Sequence, residues 1–202
     1  MKMTVSKKLY GAVGVLVVML IIISALSYLG QRSLINGYKS LADNDVVQKD
    51  LSMDAENELG IAVQAFKNYL LRGEEKYIKG FKEHTEKIGD DIAAYGTRAN
   101  TEEERTVLDN AKQSFDAYKN AIDPVIEARK KSIDVVALDK QYGLGSAIQL
   151  RLALEEMNNS AVKSYEEEKV RLNKNAARVS ILSARGSKIA PSSVDWFHSL
   201  AI

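Results

Sequence analysis

Two histidines stand in the 202-residue chain, His84 and His198, and neither has the neighbours that histidine chemistry needs. A dinuclear metal site in a helical bundle requires a glutamate three residues before a histidine on each of two facing helices. Phe81 occupies that position before His84, and Asp195 before His198 makes a single such pair in a polar terminal stretch. No His-Glu-x-x-His helix, glycine-rich phosphate loop or Gly-x-Ser-x-Gly elbow occurs. Cysteine is absent, which removes disulfides, thiolate metal sites and cysteine nucleophiles together. No catalytic residue, metal or cofactor is therefore expected. The run Glu166-Glu167-Glu168 reads as a solvated helix face with Lys163 and Arg171 at i, i+4 distances. A net charge of +1, from 28 basic against 27 acidic residues, argues against nucleic acid as a partner.

The elements that would position these side chains are helices. From Leu9 to Gln31 no charge interrupts a run centred on Val15-Leu16-Val17-Val18-Met19-Leu20-Ile21-Ile22-Ile23, long enough to cross a bilayer. The alternative, a cleaved secretory signal ending near Ala25 and Ser27, requires a shorter apolar region than this one. Lys2, Lys7 and Lys8 precede the run, so the positive-inside rule expects residues 1–8 in the cytoplasm, 9–31 in the membrane and the remainder outside. Tyr10 and Tyr28 sit near its two ends, where amphipathic rings favour the headgroup zone.

After the span, a first long helix is expected through Arg72, with a polar interior over 42–58 that anticipates a partner helix rather than deep burial on several sides, and with Gly73 as a left-handed C-cap. Ile78, Phe81, Thr85, Ile88, Ile92 and Tyr95 alternate by three and four, the seam of a second helix. Asn100 or Thr101 with Glu103 and Glu104 signals the start of a third. There Leu108, Phe115 and Ile122, and likewise Ala111, Tyr118 and Val125, stand seven apart, while Pro124 predicts a break near 120–123. A fourth helix is expected over about 135–182, with Leu144, Ile148 and Leu152 and then Leu154, Met157, Ala161, Tyr165 and Leu172 facing inward. Gly143 and Gly145 weaken its start. The expected fold class is all-α: an antiparallel four-helix bundle over 32–182, extending from the membrane helix, with a core that takes up most of the tyrosines.

The order of a basic start, a membrane helix and a long first helix, with the turn Tyr69-Leu70-Leu71-Arg72-Gly73-Glu74-Glu75-Lys76-Tyr77, resembles the sensor module of bacterial methyl-accepting chemotaxis proteins. Related sensor bundles of histidine kinases share this kind of turn. The resemblance covers residues 1 to about 182. It implies a single-pass inner-membrane protein whose periplasmic bundle dimerises, with small ligands held near the membrane-distal end between the first and fourth helices. It further implies a second span leading to a linker and a signalling coiled coil. Here Ala176-Ala177-Arg178-Val179-Ser180-Ile181-Leu182 gives way to Ser183-Ala184-Arg185-Gly186-Ser187-Lys188, too polar for a bilayer span. Residues 183–202 are accordingly expected to be an atypical tail, and the chain a truncated or rearranged receptor reading frame.

For an anionic ligand at the distal seam, the resemblance points to Arg72 as the fixed cation, Asn68 one turn earlier, and Tyr142 facing them. The competing assignment makes Arg72 a cap on its own helix-end carbonyls and Tyr142 a packing residue. Receptors of this kind that bind ligand directly carry several basic residues there, so a periplasmic protein ligand is the second mode implied. A membrane-anchored helical adaptor without a small-molecule site is the alternative function.

Overall fold

The computed structural model describes residues 5–131, 134–140 and 144–198. Among them all regular structure is helical: α1 (Val5–Ser40), α2 (Val47–Arg72), α3 (Glu75–Gly96), α4 (Glu102–Lys119), α5 (Ile122–Lys131), α6 (Val135–Leu138) and α7 (Leu144–His198), with a π-helical segment Leu41–Val46 between the first two. The chain divides into two compact units, one made of the residues up to Ser40 with those from Glu168 onward, the other of Leu41–Glu167.

In the first unit, the helical run from Leu9 contains an 18-residue window of mean hydropathy 2.7, and it is the one run among the described residues long and apolar enough to cross a membrane. Val18, Ile21 and Leu26 are exposed along it. Where α1 meets α7, glycines allow close approach: a Cβ on Gly37 would collide with Leu172, and one on Gly30 would lie 3.0 Å from Val179. Tyr38 donates to Asn173 Oδ1 at 3.2 Å.

The second unit is the bundle. Inward positions of α2 follow one unbroken three-four spacing, Gln48, Ser52, Ala55, Leu59, Ala62, Phe66 and Tyr69, and all are buried. The single long first helix read from the sequence is interrupted by the π segment, where Asp43, Asn44 and Asp45 are poor helix formers and Arg98 donates to the Asp43 carbonyl at 3.4 Å. Gly73 ends α2 at φ 71°, its amide bonded to the Tyr69 carbonyl at 2.8 Å, as the left-handed cap requires. The α3 seam packs as its spacing predicts, with Phe81, Thr85, Ile88, Ile92 and Tyr95 buried. Thr85 loses no hydrogen bond there, because its hydroxyl donates to the Phe81 carbonyl at 2.7 Å.

Thr101 and Glu104 form a complete capping box at the start of α4. Pro124 has its expected consequence: α4 stops at Lys119, and α5 begins at Ile122 after a two-residue turn. The fourth helix differs from its sequence reading in three ways. It begins at Leu144 after a separate short α6, consistent with the helix-weakening Gly143 and Gly145. Its inward face is Leu150, Leu154, Met157 and Ala161, whereas Ile148 and Leu152 are about half exposed. A two-residue offset on a helix rotates a side chain by about 200°, so the two sets cannot share one face. It also continues past Leu182 to His198, since a glycine such as Gly186 costs only about 1 kcal/mol against alanine and does not by itself end a helix.

The bundle core is apolar and aromatic. Phe66, Phe81 and Tyr118 form a ladder across α2, α3 and α4 with ring centroids 5.9 and 5.3 Å apart. Helix α7 closes the bundle through Ser52 and Asn158 to α2, Tyr95 and Met157 to α3, and Glu104 and Ser164 to α4.

Candidate functional site

The heptad seam of α2 places two polar side chains where its later turns place aliphatic and aromatic ones. Gln48 and Ser52 are fully buried on the inward face, with relative exposures of 1% and 0%. Polar groups so placed cost free energy unless each is hydrogen-bonded. The Ser52 hydroxyl lies 2.8 Å from the Lys49 carbonyl and 3.2 Å from Asn158 Oδ1 on α7, one proton between two acceptors. Asn158 also hydrogen-bonds the Glu56 side chain, one turn further along α2. Gln48 Nε2 and Glu56 Oε1 are buried without a partner.

Beside this layer, α2 and α7 leave a cavity of about 350 Å³ lined by Glu56, Leu59, Arg151, Glu155, Asn158 and Asn159. That is the lower end of the range for small-molecule sites. Its walls carry two carboxylates, one guanidinium and two amides over one apolar side chain. Burial, and then the neighbouring Glu155, push the Glu56 carboxyl above its ordinary value; Asn158 and Arg151 oppose the shift. Glu56 Oε1 is closed off from solvent without a hydrogen-bond partner beside this cavity, so a donor meets it only if the side chain turns toward the opening. None of the six lining residues is evident from the sequence by motif. The signal for this region is the continuation of the α2 seam backwards from Tyr69, which falls on Ser52 and Gln48.

The residues expected to bind ligand lie elsewhere. Arg72 is exposed at the end of α2, where its guanidinium donates to the Tyr77 hydroxyl at 2.8 Å and lies over that ring. Asn68 is half-buried one turn before it, twelve residues from Glu56, or about 18 Å along the helix. Tyr142 lies outside the described residues. The helix-end carbonyls of α2 are capped by Arg129 of α5 instead of Arg72: its guanidinium donates to Leu70 and Leu71 and sits over the Tyr69 ring. Gly73 is needed there for its positive φ, and a Cβ at this position would also push the Arg129 guanidinium aside.

Two further groups take partners other than those their spacing suggests. Lys163 reaches across to Glu103 at 2.8 Å, and Arg171 pairs with Glu168 at i, i+3. His84 is half-buried with Nδ1 2.5 Å from Glu58 Oε2. Near it on the α2–α3 face, burial and then Asp54, Glu58 and Asp90 raise the Asp91 carboxyl to about 6. Among the described residues no group of three or more acidic or histidine side chains has the geometry of a metal site.

A family model described as a four helix bundle sensory module for signal transduction matches residues 2–141. No curated protein and no solved structure matches the chain.

Proposed function

The chain belongs to the four-helix-bundle sensory modules for signal transduction, and from that premise we propose that it is the ligand-sensing part of a chemoreceptor-type membrane protein. The family is one of signal transduction and not of catalysis, so the α2–α7 cavity is read as a binding site. In this reading residues 9–31 anchor the chain in the bacterial inner membrane, residues 1–8 stay in the cytoplasm, and the bundle over 32–182 occupies the periplasm. Residues 183–202 follow it as a polar tail. Lys2, Lys7 and Lys8 before the apolar run support that orientation.

The bundle acts as a homodimer. Supporting this, Met53 and Leu71 on α2 are exposed apolar side chains opposite its buried face, and so are Ile148, Leu152 and Val162 on α7. At 100° per residue the three on α7 fall within about 80° of one another, an outward stripe suited to helix packing.

The observation that carries the sensing reading is the polar cavity on the seam between α2 and α7, where Glu56 keeps an unpaired buried oxygen. A small polar molecule bearing an amine or similar donor draws the Glu56 carboxylate toward the opening and bridges the two helices, with Arg151 and the two asparagines holding its polar remainder. Binding changes the contact between α2 and α7, and α2 follows directly in the chain from the apolar run of α1.

The test is thermal unfolding of the full chain in nanodiscs against a panel of amino acids, organic acids and amines. A ligand of the cavity raises Tm by mass action, and Glu56→Gln and Arg151→Gln remove the shift. If instead Arg72→Gln and Asn68→Ala remove it, the ligand sits at the distal end. A flat response across the panel overturns small-molecule sensing and leaves the anchored adaptor, whose partner is a protein.

A further inference from the structure

The contacts between α1 and α7 fix the register of the two helices. Leu172 packs onto Gly37 and Val179 onto Gly30, and between these points Tyr38 donates to Asn173 at 3.2 Å. The helices are therefore antiparallel, and the same register sets Arg178 level with Gln31 and Lys174 level with Ile35. Charge along this pairing has one sign. From Leu9 to Ser40 the cations are Arg32 and Lys39, without a carboxylate; from Glu168 to Leu182 they are Lys169, Arg171, Lys174 and Arg178, against Glu168 alone. Six basic residues and one acidic leave an excess of five, in a chain whose total excess is one. Glu168 is taken by Arg171. Arg32, Lys39, Lys174 and Arg178 are exposed, and among the described residues no carboxylate pairs with any of them. Along α1 and beyond, the first carboxylate is Asp43, twelve residues past Gln31, or about 18 Å along a helix.

All four cations point away from the helix contact. Arg32 and Lys39 come two residues after Gly30 and Gly37, about 200° round α1 from them and about 20° from each other. Lys174 and Arg178 are about 40° apart and about 100–160° from the line of Leu172 and Val179. Together they form a collar around the pair at the end of the apolar run, whose Leu26, Tyr28 and Leu29 are exposed. At about 1.5 Å per residue, Arg178 and Arg32 stand within about 2 Å of the level of Gln31, Lys174 about 6 Å beyond it and Lys39 about 12 Å beyond it. The polar layer of a bilayer extends about 5–8 Å past its hydrocarbon. Three of the cations fall inside that layer, and the flexible stem of Lys39 lets its ammonium reach down to it. Phospholipids carry their phosphates there, and a collar without carboxylates draws anionic headgroups over zwitterionic ones, through an attraction that fades within about 8 Å at physiological salt. We infer that Arg32, Lys174 and Arg178, with Lys39 beyond them, form a binding surface for anionic phospholipid headgroups where α1 leaves the membrane. The inference rests on the reading of residues 9–31 as a membrane anchor, and on neither the α2–α7 cavity nor the side of the membrane on which the bundle lies. A shift of either helix along the membrane normal carries cations out of the headgroup layer, so bound headgroups hold the depth of both.

The test is electron spin resonance of the full chain in phosphatidylcholine bilayers, with a trace of either phosphatidylglycerol or phosphatidylcholine spin-labelled on its acyl chain. Lipid against a membrane-spanning helix gives a motionally restricted component, and its size measures the relative association of each lipid. The expected result is a preference for phosphatidylglycerol of at least about threefold in about 20 mM NaCl, falling toward equality in about 0.5 M. Arg32→Gln, Lys174→Gln and Arg178→Gln combined lower that preference at least about twofold, and the charge-conserving pair Arg32→Lys and Arg178→Lys does not. Lys2→Gln, Lys7→Gln and Lys8→Gln combined, at the other end of the run, leave it above about twofold. Equal association of the two lipids overturns the proposal, as does a preference that is lost with the N-terminal lysines and indifferent to the collar. A spectrum without a restricted component overturns it through its premise, because residues 9–31 are then not in the bilayer. The lipid and salt comparisons use the parent chain alone, so they decide the matter even if a variant loses helix, which circular dichroism checks.

Discussion

The two halves of α2 follow one spacing and carry opposite chemistry. From Leu59 to Tyr69 the inward positions are Leu59, Ala62, Phe66 and Tyr69, packed against the Phe81 and Tyr118 rings. From Gln48 to Glu56 the same face carries Gln48 and Ser52, with Glu56 beside it, meeting Asn158 of α7. The first half is held by area and ring geometry, which have one good arrangement. The second is held by hydrogen bonds that leave two buried polar atoms without partners, each costing about 1–3 kcal/mol. A seam carrying such a penalty has something to gain from a ligand or a small shift, and the apolar half has only packing to lose.

The largest expected effect breaks the apolar half. Phe81→Ala removes the middle ring of the ladder and costs about 3–5 kcal/mol of stability, read by denaturant unfolding of the full chain. A loss under about 1 kcal/mol would show that the ladder is not what holds this half together. In the polar half the sign reverses. Gln48→Leu removes the unpaired Nε2 and stabilises the bundle by about 1 kcal/mol, while the ligand-induced change in Tm shrinks. Stabilisation with an undiminished ligand response would separate the polar layer from sensing.

The capping box of α4 is linked to the polar half through α7. Glu104 accepts from the amides of Asn100 and Thr101 at 2.8 and 2.9 Å, and from Ser164 of α7 at 2.9 Å. Burial pushes its carboxyl up, but these donors outweigh that and hold it below the ordinary value. A depressed carboxyl contributes stability that is present above its unfolded pKa, about 4.3, and is lost as pH falls through its folded value. Glu104→Gln is expected to cost about 1 kcal/mol at neutral pH and to flatten the acid side of the stability curve. Equal acid sensitivity in parent and variant would remove Glu104 as its source.

The smallest effect has the opposite pH sign. Asp91, raised to about 6 by burial and by Asp54, Glu58 and Asp90, is more acidic unfolded, at about 3.9. Its ionisation therefore opposes folding: the bundle is relieved of it below about pH 4 and bears it progressively as pH rises through 6. Asp91→Asn is expected to raise Tm by a few degrees at pH 7.5 and not at pH 4. A pH-independent rise would assign the effect to packing.

Much of this molecule is legible one helix at a time. The apolar span, the α3 seam, the left-handed Gly73, the Thr101–Glu104 box and the break at Pro124 each depend on residues within a few positions of one another, and helix geometry maps such spacing directly onto a face or an end. The all-α class follows from that periodicity. The full burial of Gln48 and Ser52 does not: a polar stretch over 42–58 reads as one with a single partner helix and no deep burial, and the packed core places both side chains inward.

What only the tertiary structure decided is which faces meet. Rotation of α7 about its axis puts Leu150 inward and Ile148 outward, and both belong to plausible apolar series. Arg129, and not Arg72, caps α2 because α5 turns back to it across a separation of 59 residues. Lys163 chooses Glu103 over its helical neighbours for the same kind of reason. The α2–α7 cavity needs Glu56 and Arg151 on helices whose register no local signal records. Periodicity is a property of one helix, whereas register and rotation are set by the packing of the whole core, so the sites between helices exist only once that core has formed.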